Sequence, residues 1–191
     1  MGAFVDLPFS FEDRPNFNLL ETQPSVVEWI ADLVSDLCRS AVTEGMHERP
    51  IVLPIPAASL GRANLVAACM DAVMGSRLCP QEICFELTDA ALAASPCDVT
   101  TFFRNFRQRG FRIAVDARSS WQADLRASTW LLVDTLRVGF DDGEPSSDLM
   151  ATVDLASSAG VAIIAERAHW RDGEYLASLG IEYGLHPLAD A

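Results

Sequence analysis

A series of short, almost uninterrupted apolar runs constrains this chain more than any other feature. They are Ile51-Val-Leu-Pro-Ile55, Ile83-Cys-Phe-Glu-Leu87, Arg112-Ile-Ala-Val-Asp116, Thr135-Leu-Arg-Val-Gly139, Val161-Ala-Ile-Ile-Ala165 and Ile181-Glu-Tyr183, with a weaker candidate at Ala3-Phe-Val-Asp-Leu7. Runs without polar alternation are what strands covered on both faces look like. Between them lie segments of helical spacing: Val26, Val27, Ile30, Leu33, Val34 and Leu37 after Pro24-Ser25, then Leu65 to Val73, Val99 to Phe106, Leu149 to Ala159 and Tyr175 to Leu179. Gly110, Gly160 and Gly180 each stand between such a helix and the next run, where a left-handed helix cap is wanted. Strand, helix, glycine and strand in repetition predict parallel βα units.

Units of this kind close into a (β/α) barrel or open into a doubly wound sheet. No glycine-rich phosphate loop follows an early strand, which favours the barrel. With 191 residues, an eight-stranded barrel is below the usual size. The expectation is therefore an α/β fold of truncated or modified TIM-barrel type, one domain over residues 1–191 with a divergent segment at 1–24. The loop 141–148 is expected to be its most mobile part.

Composition narrows the function. All basic residues are arginine, so mechanisms that need a Schiff-base or phosphate-loop lysine are excluded, Walker-type nucleotide hydrolysis among them. A formal charge of −13 disfavours nucleic acid and anionic membranes. Neither a signal peptide nor a membrane-spanning run is found, and Asp6 breaks a myristoylation pattern. Cys38, Cys69, Cys79, Cys84 and Cys97 form no finger-like pairs, as expected for reduced thiols in the cytoplasm. Cys79 and Cys84 make at most half a zinc site, with no second half to answer them.

At the C-terminal ends of the runs stand Pro54, Pro56, Glu86, Asp116, Arg137 and Glu166. In a barrel that is the active face, and three carboxylates with an arginine on one rim have the character of a worn divalent-metal and phosphate site. The plainer reading is that these carboxylates cap the helices that follow.

Five segments in order decide between these readings: Glu86-Leu-Thr-Asp89, Ala114-Val-Asp116, Asp134-Thr-Leu-Arg-Val138, Ile164-Ala-Glu166 and Leu179-Gly-Ile-Glu-Tyr183. Their order and spacing resemble the EAL-domain family, bacterial phosphodiesterases of cyclic di-GMP built on a modified barrel, over roughly Val26 to Leu188. The resemblance implies that Glu86 matches a metal ligand, Asp116 the first of two paired aspartates, Arg137 the family's lysine beside the nucleophilic water, and Glu166 a catalytic-site glutamate. It also exposes losses. The signature Glu-Ala-Leu strand is not found, Pro54 stands in place of a ligand asparagine, Ala117 replaces the second aspartate, Gly139 a later one, and His169 a companion glutamate. The late Gln-Gly segment is missing as well.

Without those ligands, the shell that would hold two divalent ions is incomplete, and an arginine does not replace an ammonium group beside a metal-bound water. The expectation is a degenerate EAL-like protein, not an enzyme, with no metal or cofactor, which regulates signalling through protein contacts. Catalytically dead relatives set the precedent for this by resemblance. A non-hydrolysing cyclic di-GMP receptor is the alternative, although the arginine and the glutamate-rich loop of such receptors are not found; residual hydrolysis is a third reading. For the partner surface, the sequence offers Arg118, Trp121 and Arg126 after the third run and Trp170 after the fifth, with the composition of interface anchors. The plain alternative for Trp121 is packing over the rim. Phe102, Phe103 and Phe106 read as a core stripe, and the interleaved Arg104, Arg107, Arg109 and Arg112 as a solvated face.

Overall fold

The computed structural model describes residues 25–45, 49–119, 121–139, 147–166, 173–178, 181 and 183–185. Its contacts fall into two compact units: residues up to 86 together with 97–112, and residues 87–96 together with those from 113 onward.

In the first unit, helix α1 (Ser25–Thr43) buries Val26, Val27, Ile30, Val34, Cys38 and Ala41 and packs against α2 (Leu65–Met74), which buries Leu65, Cys69 and Val73. The α1 stripe differs slightly from the sequence expectation: Leu33 and Leu37 lie half-buried at its edge, and the smaller Cys38 and Ala41 continue its centre. Burial of the Cys69 thiol pushes its pKa up to about 12, so it is an inert core group. Strand β1 (Ile51–Pro54) pairs in parallel with β2 (Ile83–Thr88), Ile51 opposite Ile83 and Pro54 opposite Glu86.

Helix α4 (Val99–Gln108) starts where the Asp98 carboxylate accepts from the Thr100 amide at 3.1 Å. It buries Phe102, Phe103 and Phe106 and exposes Arg104 and Arg107, with Arg109 exposed just past its end, the division its sequence spacing predicts. Phe85 from β2 meets Phe106 and Phe111 edge-on, with ring centroids 4.8 and 5.1 Å apart.

The second unit holds α3 (Asp89–Ala93), capped by Thr88, whose hydroxyl accepts from the Ala91 amide at 3.2 Å. It also holds strand β3 (Arg112–Ala117, from Ile113 on), β4 (Thr135–Gly139), β5 (Ala162–Glu166) and β6 (Tyr183–Leu185), each parallel to the next in chain order. Helices α5 (Ala127–Trp130), α6 (Ser147–Ser158) and α7 (Gly173–Ser178) lie in the connections. Ile113, Val115, Leu136, Val138, Ile163 and Ala165, which share one face of the sheet by register, are buried. Among the described residues, no helix is long and apolar enough to cross a membrane.

Two of the three glycine caps read from the sequence, Gly110 and Gly160, form as expected, and Gly180 lies outside the described residues. Gly110 has φ 90°, its amide donates to the Arg107 carbonyl at 3.0 Å, and the next amide, of Phe111, reaches back to Phe106 at 3.2 Å. Gly160 repeats the arrangement with φ 79°, Val161 donating to Ala156 at 3.0 Å. The last run differs. The strand is Tyr183–Leu185, not Ile181 to Tyr183, because the Ile181 amide donates to the Leu176 carbonyl at 3.0 Å and so closes α7 instead of opening a ladder.

A Cβ at Gly110 would enter the left-handed region and come within 3.3 Å of the Gln81 amide nitrogen. Gly110→Ala is therefore expected to cost about 1–2 kcal/mol, read as a lower urea midpoint at unchanged slope.

Candidate functional site

The register of the second unit places three of the expected residues together. Asp116 on β3 is opposite Arg137 on β4, and Gly139, two residues on, is opposite Glu166 on β5. Residues in register share a sheet face and side chains alternate along a strand, so Asp116, Arg137, Gly139 and Glu166 all belong to one face near the strands' C-terminal ends.

Arg118, just beyond the end of β3, folds back onto that face. Its guanidinium grips Asp116 in bidentate fashion, Nε to Oδ1 at 2.8 Å and Nη2 to Oδ2 at 2.7 Å, while Nη1 donates to Glu166 Oε2 at 2.6 Å. The backbone amide of Arg118 also donates to Asp116 Oδ1, at 3.1 Å. Arg137 takes the other oxygen of Glu166, with Nε to Oε1 at 2.8 Å and Nη2 closing on the same atom. Arg137 is 7% exposed, Asp116 13% and Glu166 14%, while Arg118 stays 31% exposed at the edge of the cluster.

The electrostatics follow from this geometry. Burial works to raise the Asp116 pKa, but the hydrogen bonds from Arg118 and the charges of Arg118 and Arg137 outweigh it and hold the carboxyl below its ordinary range. The same bonds to Asp116, and after them those to Glu166, raise the pKa of the Arg118 guanidinium against the opposing effect of burial.

Arg118 owes its position to Gly139. A Cβ at residue 139 would lie 2.7 Å from the Arg118 carbonyl oxygen and 3.3 Å from its Cα, so the two backbones can approach only because residue 139 has no side chain.

A second device holds the segment after Arg118. Asp89, buried at the start of α3, accepts from two successive backbone amides, Gln122 at 2.6 Å and Ala123 at 2.9 Å. Trp121 on this segment is half-buried and Arg126, ahead of α5, is exposed. Trp170 and His169 lie outside the described residues. In the first unit Glu86 is buried on β2, in register with Pro54, which has no side-chain oxygen to offer.

Sequence reasoning grouped Arg118 with Trp121 and Arg126, whereas the structure places it between Asp116 and Glu166. The i, i+2 spacing of Asp116 and Arg118 was the available signal. Nothing local announced the clamp by Asp89, whose partners lie more than 30 residues away or the role of Gly139.

This chain is similar in structure to the PaMucR phosphodiesterase solved as a c-di-GMP complex, with 18% identity and a TM-score of 0.65 over 88% of this chain and 78% of that one. The EAL domain of Mycobacterium smegmatis DcpA gives 18% identity and a TM-score of 0.62 over 85% and 76%. The fold is the EAL-domain fold. That bears out the α/β, EAL-like expectation. Klebsiella pneumoniae BlrP1, solved with manganese and cyclic di-GMP, gives 18% identity and a TM-score of 0.63 over 85% of this chain but only 43% of its own longer one. Neither a family model nor a curated protein matches the sequence.

The manganese of BlrP1 raises the question of whether the residues here suit a divalent ion. Such an ion needs carboxylate oxygens free to enter its coordination sphere. Both oxygens of Asp116 and both of Glu166 already accept from guanidinium groups. Among the described residues, no buried side-chain nitrogen or oxygen lacks a hydrogen-bond partner, and no group of three or more His, Cys, Asp or Glu is placed to hold a metal. The set does not fit a divalent ion.

Proposed function

We propose that this EAL-type domain does not hydrolyse cyclic di-GMP and acts in that signalling system through contacts with another protein. The observation that carries this reading is the pairing of Asp116 and Glu166 with Arg118 and Arg137, which uses the carboxylates a metal-dependent phosphodiesterase would need free. Pro54 opposite Glu86, Ala117 after Asp116 and Gly139 on the shared face support it, since none supplies a ligand oxygen from its side chain.

The protein-binding half of the proposal draws on the segment after β3. Anchored by Arg118 at one end and by Asp89 at Gln122 and Ala123, it carries Trp121 and, further on, Arg126. An anchored backbone has less freedom to lose on association, and tryptophan and arginine are the residue types that dominate interface energies.

Purified protein with excess Mg²⁺ or Mn²⁺ is expected to yield no linear dinucleotide above a buffer control. Product that disappears in Glu86→Gln would overturn the inactive reading. For the interface, pull-downs compare wild type with Trp121→Ala/Trp170→Ala and with Glu86→Ala/Asp116→Ala, each first checked for folding. Loss of a common partner in the tryptophan variant and its retention in the carboxylate variant is the expected pattern. The reverse pattern, together with calorimetric binding of cyclic di-GMP, would make the domain a non-hydrolysing receptor.

A further inference from the structure

We propose that Arg118 is a built-in cation that takes the place of a divalent ion between Asp116 and Glu166, admitted there by the absence of a side chain at Gly139. The inference deepens the inactive reading above and rests on the same cluster. Its test reads metal occupancy, whereas that reading is tested by product formation and partner capture, so the two can fail separately.

Three features carry it. The first is connectivity: one guanidinium bridges two carboxylates on non-adjacent strands, β3 and β5, with three side-chain hydrogen bonds of 2.6–2.8 Å. A planar fork with diverging donors can do this from a single side chain, and an ammonium group cannot match the same geometry. The second is charge. Two guanidinium groups and two carboxylates cancel within the cluster, so an incoming Mg²⁺ or Mn²⁺ would meet no net attraction, would have to displace Arg118, and would still face Arg137. The third is steric permission. The backbone of residue 118 sits where a Cβ at residue 139 would come within 2.7 Å of its carbonyl oxygen, so bare backbone at 139 is what admits the path from which the Arg118 side chain reaches both carboxylates.

The raised pKa of Arg118 agrees with a guanidinium that stays charged at any pH the fold survives. An ordinary stabilising ion pair would share much of this geometry. What separates the two is whether a divalent ion can substitute once the guanidinium is gone.

The experiment is thermal unfolding of wild type, Arg118→Ala and Arg118→Gln at fixed ionic strength, with and without millimolar Mn²⁺, supported by calorimetric Mn²⁺ titration. Wild type is expected to melt at the same temperature with and without Mn²⁺. The Arg118 variants are expected to melt lower and to recover about 3 °C or more with Mn²⁺, the size of shift that moderate binding to the folded state produces. The recovery should vanish when Asp116→Asn is added to either variant.

Two outcomes overturn the proposal: Mn²⁺ binding by wild type that Asp116→Asn abolishes, or a folded Arg118→Gln whose melting Mn²⁺ leaves unchanged. If neither Arg118 variant folds in buffer alone, both are refolded in the presence of Mn²⁺: folding that Mn²⁺ rescues and that Asp116→Asn abolishes upholds the proposal, and no rescue overturns it.

Discussion

Phe106→Ala is expected to lower the stability of the protein by about 3–5 kcal/mol. Phe106 is fully buried on α4, packs against Phe102 at 4.9 Å and against Phe85 at 4.8 Å between centroids, and lies within 5.8 Å of Phe111. Removing the ring therefore forfeits apolar burial, one edge-on contact with Phe85 and two tilted contacts with Phe102 and Phe111 at once. It also leaves a cavity walled by rigid aromatic groups that cannot collapse into it. Chemical denaturation checks the figure. Phe106→Leu, which refills most of the volume, should recover the larger part of the loss, and a Phe106→Ala variant within 1 kcal/mol of wild type, roughly the effect of an ordinary surface change, would show that this cluster is not central to the core.

Arg137→Ala is expected to cost about 3 kcal/mol or more, because it strips a partner from a carboxylate that stays buried. Arg137 is almost wholly inaccessible and bonds to Glu166 through two nitrogens. The neighbouring Asp116 adds a pH dependence of definite sign. Its carboxyl is held below the ordinary range in the folded protein, so the folded state binds that proton less readily than the unfolded chain does. Its contribution is thus fully present above the unfolded pKa of about 3.9 and is lost as pH falls through the lower folded value. Denaturation from neutral pH down to about pH 2 should show this loss, concentrated at the acid end, in wild type and a shallower dependence in Asp116→Asn. The asparagine variant should be the less stable of the two at neutral pH, where the ion pair is missing. Equal slopes in the two proteins would mean that other carboxylates carry the acid response.

What the sequence could and could not disclose follows from how far apart the interacting groups stand. Helix closure at Gly110 and Gly160 was legible because it involves six successive residues and a backbone angle that favours glycine. The division of α4 into a phenylalanine face and an arginine face was legible for the same reason. Ile181 was misplaced because an apolar residue before a strand and one inside it look alike until hydrogen-bond partners are known. Arg118 was read as facing outward because no local pattern tells an arginine turned back over a strand end from one turned toward solvent. The grip of Asp89 on Gln122 and Ala123 is a contact between distant segments, and neither its donors nor its geometry leaves a trace in the spacing.

The close approach at Gly139 bears on what any side chain placed there would demand of the fold. The atoms of residue 118 that a Cβ at 139 would strike are its carbonyl oxygen and Cα, which every amino acid carries. No replacement of Arg118 alone relieves that clash, and no acidic side chain at 139 fits while the chain leaves β3 along its present path. Substitution at 139 is therefore opposed at the main chain, whatever stands at 118. To admit a ligand oxygen there, an engineer would have to reroute the segment after Ala117, by a change in its length rather than in its letters.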